Sequence, residues 1–213
     1  MNLSLIDYAL ATNTSLTPTA NCLYQYIMAA NGIFIRAENR TFRIVSQIAK
    51  VPIAGLARVE NEFKFHLPRV PLALTEQLLD RCQRYYPHEV YLQLTSDGVL
   101  WKMKQPQQIA SGSSVQWQGG DSCDIELHSH PYHQAKFSSI DDRDERGLCL
   151  YAVIGFPTKD AEILLRVGIY GQWFTYLPAR TVFELPEHLR DRFNWEEFHA
   201  CDTANYTATI FPR

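Results

Sequence analysis

Within "ELHSHPYHQAKFSSIDD", residues 126 to 142, histidines, carboxylates and serines gather at a density found nowhere else in the chain. His128 and His130 are separated by one residue on "CDIELHSH", which reads as a strand end. Alternate side chains of a strand leave the same face, so the two imidazoles can converge on one ion. Asp141 follows eleven residues after His130, across a loop long enough to return a carboxylate to that ion. Two imidazoles and a carboxylate leave the fourth tetrahedral position of zinc open, which is the catalytic rather than the structural arrangement. An HxH pair taken alone is a weak signal, and the rest of the chain must supply the context.

The elements that would hold these residues can be read from pattern. "ALTEQLLDRCQRYY" carries Leu74, Leu78, Cys82 and Tyr85 near helical spacing, with Thr75 placed to cap its start and Pro87 to end it. "EVYLQLTSDGVLWKMK" reads as a hairpin about "SDG", and "PQQIASGSSVQWQGGDS" as a loop flanking at most one short strand. After the histidines, "SSIDDRDERGL" starts a polar helix or turn and "LYAVIGFP" is a buried central strand. A meander, "AEILLRVGIYG" and "QWFTYLP", follows. "PEHLRDRFNWEEF" reads as a short amphipathic helix with Leu189, Phe193 and Phe198 on its apolar side.

The first seventy residues look like a separate α+β module: a short helix in "CLYQYIMAA", then strands in "GIFIRAEN" and "RTFRIVSQI" about an "ENR" turn. "AGLARVENEFKFHL" alternates partly, which suits one or two more strands. "LPRVP", residues 67 to 71, is the expected boundary because proline ends regular elements and stiffens connections. The expected organisation is therefore 1–70, a central domain over 71–182, and a C-terminal helix and tail over 183–213 that pack on it.

The spacing His128-x-His130, seven residues, Ser138-x-x-Asp141, with "HSHP" across the histidines, resembles the HxH(x7)SxxD pattern of the JAMM (MPN-plus) zinc metallopeptidases and their prokaryotic JAB-type members. In that family a helix and a proline-containing link lead to a strand opened by the catalytic glutamate. "LLDRCQRYYPHEVYLQL" has this form and puts Glu89 in the role. The flanking sequence "EVYLQL" departs from the family's usual small residues, so Glu89 rests on position, and Glu126, two residues before His128, is the rival base. The resemblance covers roughly residues 72 to 180. It implies an α+β fold, a mixed sheet with flanking helices of the α/β/α, cytidine-deaminase-like type. It also implies one zinc ion held by His128, His130 and Asp141, with Glu89 as base and then acid, and Ser138 as donor to the oxyanion.

The activity so implied is peptide or isopeptide hydrolysis at the C-terminal tail of a ubiquitin-like or small β-grasp protein, with an E1-like (ThiF-type) enzyme as a further partner. Size and the extra N-terminal module resemble the A proteins of PRTRC cassettes. The contrasting reading is a binding or scaffold module that keeps the fold without turnover; the full set of ligands, serine and glutamate favours the enzyme.

The neighbours of the motif have plainer expectations. His133 is read as a solvated loop residue, Ser139 as a bystander, and Asp142, Asp144 and Glu145 as an exposed first helical turn where negative charge suits the helix dipole. Glu126, if not the base, is expected in a salt bridge or facing solvent. Trp101, Trp117 and Tyr132 are placed either along a substrate groove or in packing. Five scattered cysteines, Cys22, Cys82, Cys123, Cys149 and Cys201, form no CxxC pair and read as reduced thiols without a metal role.

Composition bounds the rest. In 213 residues, 46% are hydrophobic, enough for a sizeable core, and the formal charge of −3 gives no general attraction for nucleic acid or anionic membranes. The N-terminus lacks the basic start and apolar core of a signal peptide, and no apolar run approaches membrane-spanning length. The expected location is the cytoplasm.

Overall fold

The computed structural model describes residues 5–13, 16, 22–117, 122–156 and 160–193. Among these, the chain forms a five-stranded sheet, a seven-stranded mixed sheet and a two-stranded ribbon.

The first sheet runs in chain order through β1 (Ile6–Leu10), β2 (Tyr24–Ala29), β3 (Gly32–Glu38), β4 (Phe42–Ala49) and β5 (Glu62–Phe65). The helix expected in "CLYQYIMAA" is therefore strand β2, and the described part of residues 1–70 contains strands and no helix. Burial on both faces explains the difference. Tyr24 and Tyr26 pack toward the main core while Ile27 and Ala29 fill a second one with Phe34 and Val45. A short apolar run buried on both sides carries no periodicity that separates helix from strand.

Helix α1 (Leu72–Tyr85) buries Thr75, Leu78, Leu79 and Cys82, the i, i+3, i+4, i+7 stripe of an amphipathic helix. Thr75 is not its cap, as the sequence suggested; its hydroxyl points back to the carbonyl of Pro71 at 3.4 Å. Pro71 occupies the cap position, and the Leu72 amide donates instead to the Glu184 carboxylate at 3.1 Å. A cap supplied by a residue so distant in sequence leaves no local signal.

The seven-stranded sheet comprises β6 (Tyr91–Ser96), β7 (Trp101–Lys104), β10 (Ile125–His130), β11 (Leu148–Gly155), β12 (Ala161–Ile169), β13 (Trp173–Leu177) and β14 (Leu189–Asp191). Its order is β13-β12-β11-β10-β6-β7, with β14 lying parallel to the first residues of β12. The β6–β7 hairpin turns at "SDG", where Gly98 takes φ +101°. β8 (Gln108–Ala110) and β9 (Val115–Trp117) form the ribbon in the segment expected to hold at most one strand. The C-terminal helix expected over 186–198 is replaced at 189–191 by β14, whose Leu189 is buried against the core; residues from 194 onward lie outside the described residues.

One face of this sheet buries Leu92, Leu127, Leu150 and Leu165 against α1, and the same apolar cluster takes in Ile35, Phe42 and Ile44 of the first sheet. Polar contacts cross the same junction. The buried Asp124 carboxylate, just ahead of β10, accepts from the Thr41 hydroxyl at 2.5 Å, the Arg40 guanidinium at 2.7 Å and the Ser96 amide at 2.8 Å. The other face of the sheet carries α2 (Ser139–Asp144) and the segment leading to it. The fold is thus α+β, with a mixed sheet between helices, and strand content contributed from the first seventy residues.

The segment after β10 crosses the end of β11 where only glycine fits. A Cβ on Gly155 would lie 2.2 Å from the Ala135 nitrogen and 2.6 Å from the His133 oxygen. Gly155→Ala is expected to displace that crossing and lower stability by about 1–3 kcal/mol, the usual cost of forcing extra volume into packed structure. Urea denaturation of the variant beside wild type measures it.

Candidate metal centre

β10 is hydrogen-bonded on both sides, antiparallel to β6 and parallel to β11. Its odd-numbered residues, Ile125, Leu127 and Ser129, are buried on the α1 side, so Glu126, His128 and His130 face the other way. Pairing on both edges leaves the strand little freedom to slip, and a one-residue slip would exchange the two sets. The common orientation of the histidines is therefore imposed by the sheet.

Asp141 arrives on the first turn of α2. Ser138 is the N-cap: its hydroxyl oxygen accepts from the Ile140 amide at 3.2 Å and the Asp141 amide at 3.3 Å, while its own amide donates to Asp141 Oδ2 at 2.5 Å. This reciprocal capping box fixes one carboxylate oxygen of Asp141. The other, Oδ1, stands 3.5 Å from His128 Nε2. Below the helix, Arg166 of β12 is 2% exposed and holds Glu145 at 2.7 Å and Asp142 at 2.7 Å, its guanidinium lying 3.8 Å over the Phe137 ring. α2 is thereby docked onto the sheet at its far end while its cap presents Asp141.

One ligand atom from each of His128, His130 and Asp141 lies within 4.8 Å of the other two. His128 Nε2 is buried and has no hydrogen-bond partner among the described residues. A buried, unsatisfied ring nitrogen is costly, and a cation shared with the neighbouring donors would relieve it. The Gln134 carbonyl sits 3.3 Å from His130 Nδ1, which suits a proton on that nitrogen and leaves Nε2 as a lone-pair donor. Burial pushes His128 down to about 4 and His130 below its usual value, so both imidazoles are neutral, the form that ligates metal, near neutral pH. This donor set of two imidazoles and one carboxylate fits zinc with an open position.

Glu89 lies two residues before β6, buried, its amide donating to the Ser111 carbonyl of the ribbon turn at 2.7 Å. Its carboxylate is 4.0 Å from His130 Nε2. Burial, and then the charge of Asp141, lifts its pKa from 4.5 to about 7. Glu89, Glu126, Ser138, His128, His130 and Asp141 all line one pocket. All five residues singled out from the sequence are thus brought together, although Glu89 and Asp141 come from segments far apart in the chain.

Several neighbours differ from expectation. Glu145 is buried and paired with Arg166 rather than exposed, and Asp142 shares that arginine. Glu126 makes no ion pair among the described residues; it is half-buried and bonded to the Tyr91 hydroxyl. Trp117 stacks on Tyr91 with centroids 3.8 Å apart and rings 8° from parallel, forming one wall of the pocket. Tyr132 is half-exposed beside it, whereas Trp101 stacks on Phe65 and donates to the Pro68 carbonyl, away from the site. Tyr91 and Arg166 were missed from the sequence. A lone arginine inside the apolar run "AEILLRVGI" was the available signal for the second.

Residues 71–168 match the family model described as prokaryotic homologs of the JAB domain. The matched stretch begins at the cap of α1 and ends within β12, and it contains every residue of the centre. This stretch is similar to the JAB domain, whose family includes metal-dependent isopeptidases and also non-catalytic members. No curated protein matches the chain. No helix of the described residues is long and apolar enough to cross a membrane.

The raised Glu89 pKa has a signed consequence for the metal-free protein. Between pH 4.5 and about 7 the native state keeps a proton that the unfolded chain has lost, so this group's contribution to stability falls as pH rises through that window. Glu89→Gln removes the slope. The metal-free variant is expected to match wild type near the lower end and exceed it by roughly 2–3 kcal/mol at the alkaline end. Denaturant titrations at a series of pH values after chelation check both the size and the direction.

Proposed function

We propose that the chain is a zinc-dependent peptidase or isopeptidase acting at the C-terminal tail of a ubiquitin-like or small β-grasp protein. The observation that carries this reading is the convergence of His128, His130 and Asp141 on one point, with His128 Nε2 buried and unbonded and Glu89 in the same pocket. The substrate class rests on the motif's resemblance to JAMM peptidases, as does the expectation of an E1-like partner.

His128, His130 and Asp141 would hold a zinc ion, which when bound would supply Lewis acidity. Glu89 takes a proton from the attacking water and passes it to the leaving amine. A carboxyl lifted close to 7 is suited to both directions of transfer near neutral pH. Ser138 accepts two amides on its hydroxyl oxygen, so its own O–H remains free to donate to the oxyanion. The Trp117–Tyr91 stack and the ribbon turn shield one side of the pocket from water.

The test uses ubiquitin-like proteins extended at their C-terminal glycine by a short peptide. His128→Ala/His130→Ala is expected to lose about one zinc equivalent and all cleavage. Glu89→Gln should keep zinc and lose cleavage, and Ser138→Ala should slow it about a hundredfold. Cleavage that survives the double histidine variant overturns the hydrolytic reading. Cleavage that survives Glu89→Gln but not Glu126→Gln moves the base to Glu126.

A further inference from the structure

A second group of ligand-type side chains converges beside the His128 centre and meets its pocket at Glu126. Cys123, Glu126 and Cys149 each offer one ligand atom within 4.8 Å of the other two, the same mutual limit that His128, His130 and Asp141 meet. Cys123 lies just before β10, Glu126 on it, and Cys149 is the second residue of β11. The parallel register sets Ile125 opposite Leu150 and Glu126 opposite Tyr151, so the two thiols come from adjoining strands at their common starting end.

Cys149 is buried, and its Sγ faces the carbonyl oxygens of Leu150 at 3.4 Å, Asp124 at 3.5 Å and Cys123 at 3.7 Å. Glu126 is half-buried, and no cationic side chain among the described residues pairs with it. A carboxylate withdrawn from water with the Tyr91 hydroxyl but no cation beside it is unfavourable.

We propose that Cys123, Glu126 and Cys149 form a second metal site, beside the His128 centre, that takes a thiophilic divalent cation such as zinc. On binding, two S–H bonds break, two metal–sulfur bonds form and two protons pass to solvent; no electron changes hands. Two thiolates and one carboxylate give the donor charge and softness that favour zinc or cadmium over magnesium or calcium. Cys123 is only half-buried, which gives the ion a way in. The ion would clasp the beginnings of β10 and β11 together, at the opposite end of β10 from His130. The inference does not depend on hydrolysis.

The test is cadmium titration of the full chain, reduced and stripped with chelator, followed by the thiolate-to-cadmium charge-transfer band in the ultraviolet and by metal analysis. Wild type is expected to show the band and to bind about two equivalents, and His128→Ala/His130→Ala to keep the band with about one. Cys22→Ser/Cys201→Ser should also keep the band, whereas Cys123→Ser/Cys149→Ser should lose it. Because Cys149 is buried, the partly exposed single changes Cys123→Ser and Glu126→Gln provide a second reading. Each is expected to weaken cadmium binding at least about tenfold with an unchanged circular dichroism spectrum. A band that is missing from wild type or that survives Cys123→Ser/Cys149→Ser overturns the proposal. So does unaltered affinity in both single variants, or recovery of Cys123 and Cys149 as a disulfide after anaerobic purification.

Discussion

A strand paired on both edges has one degree of freedom left, its register, and in β10 that register decides everything else about the centre. With Ile125, Leu127 and Ser129 buried toward α1, Glu126, His128 and His130 must face the opposite side. The apolar core thus aims the polar residues. Nothing in the imidazoles themselves selects their direction; the cost of exposing Leu127 and Ile125 does. The Asp124 carboxylate, bonded to Thr41, Arg40 and Ser96 one residue before the strand, pins its start to the first sheet.

Around this strand the third candidate ligand is placed by independent means. Asp141 depends on a capping box at one end of α2 and on Arg166 at the other. Arg166 lies deep in the sheet and would be expensive to bury alone. Two carboxylates and the faces of Phe137 and Phe174 surround it, so charge, hydrogen bonding and aromatic contact together offset its desolvation. Glu89 is held by yet another contact, its amide on the ribbon turn. The pocket is assembled from three separately braced pieces.

What the sequence reveals follows from how local each cause is. The HxH(x7)SxxD spacing was legible because its geometry depends on a strand period and a short helical cap, both written in consecutive residues. Helix α1 and the "SDG" hairpin were legible for the same reason. β2 was not, since a short run buried on both faces lacks a distinguishing period, and β14 was not, since it exists only by adding to an edge of β12. Glu145 looked like an exposed helical charge until its partner, twenty-one residues later on another strand, was in view. Cys123 and Cys149 carry no short spacing at all; only the parallel pairing of β10 with β11 makes them neighbours.

The shared core between the two sheets bears on how such a chain can change over evolutionary time. The family match begins at residue 71, but Ile35, Phe42 and Ile44 belong to the same buried cluster as Leu127 and Leu150. Cutting the gene at that boundary would leave an apolar sheet face bare and Asp124 without two of its three donors. The matched stretch is therefore smaller than the body of chain that shares its core. Any other N-terminal segment would have to match that face in shape for the sheet to keep its core.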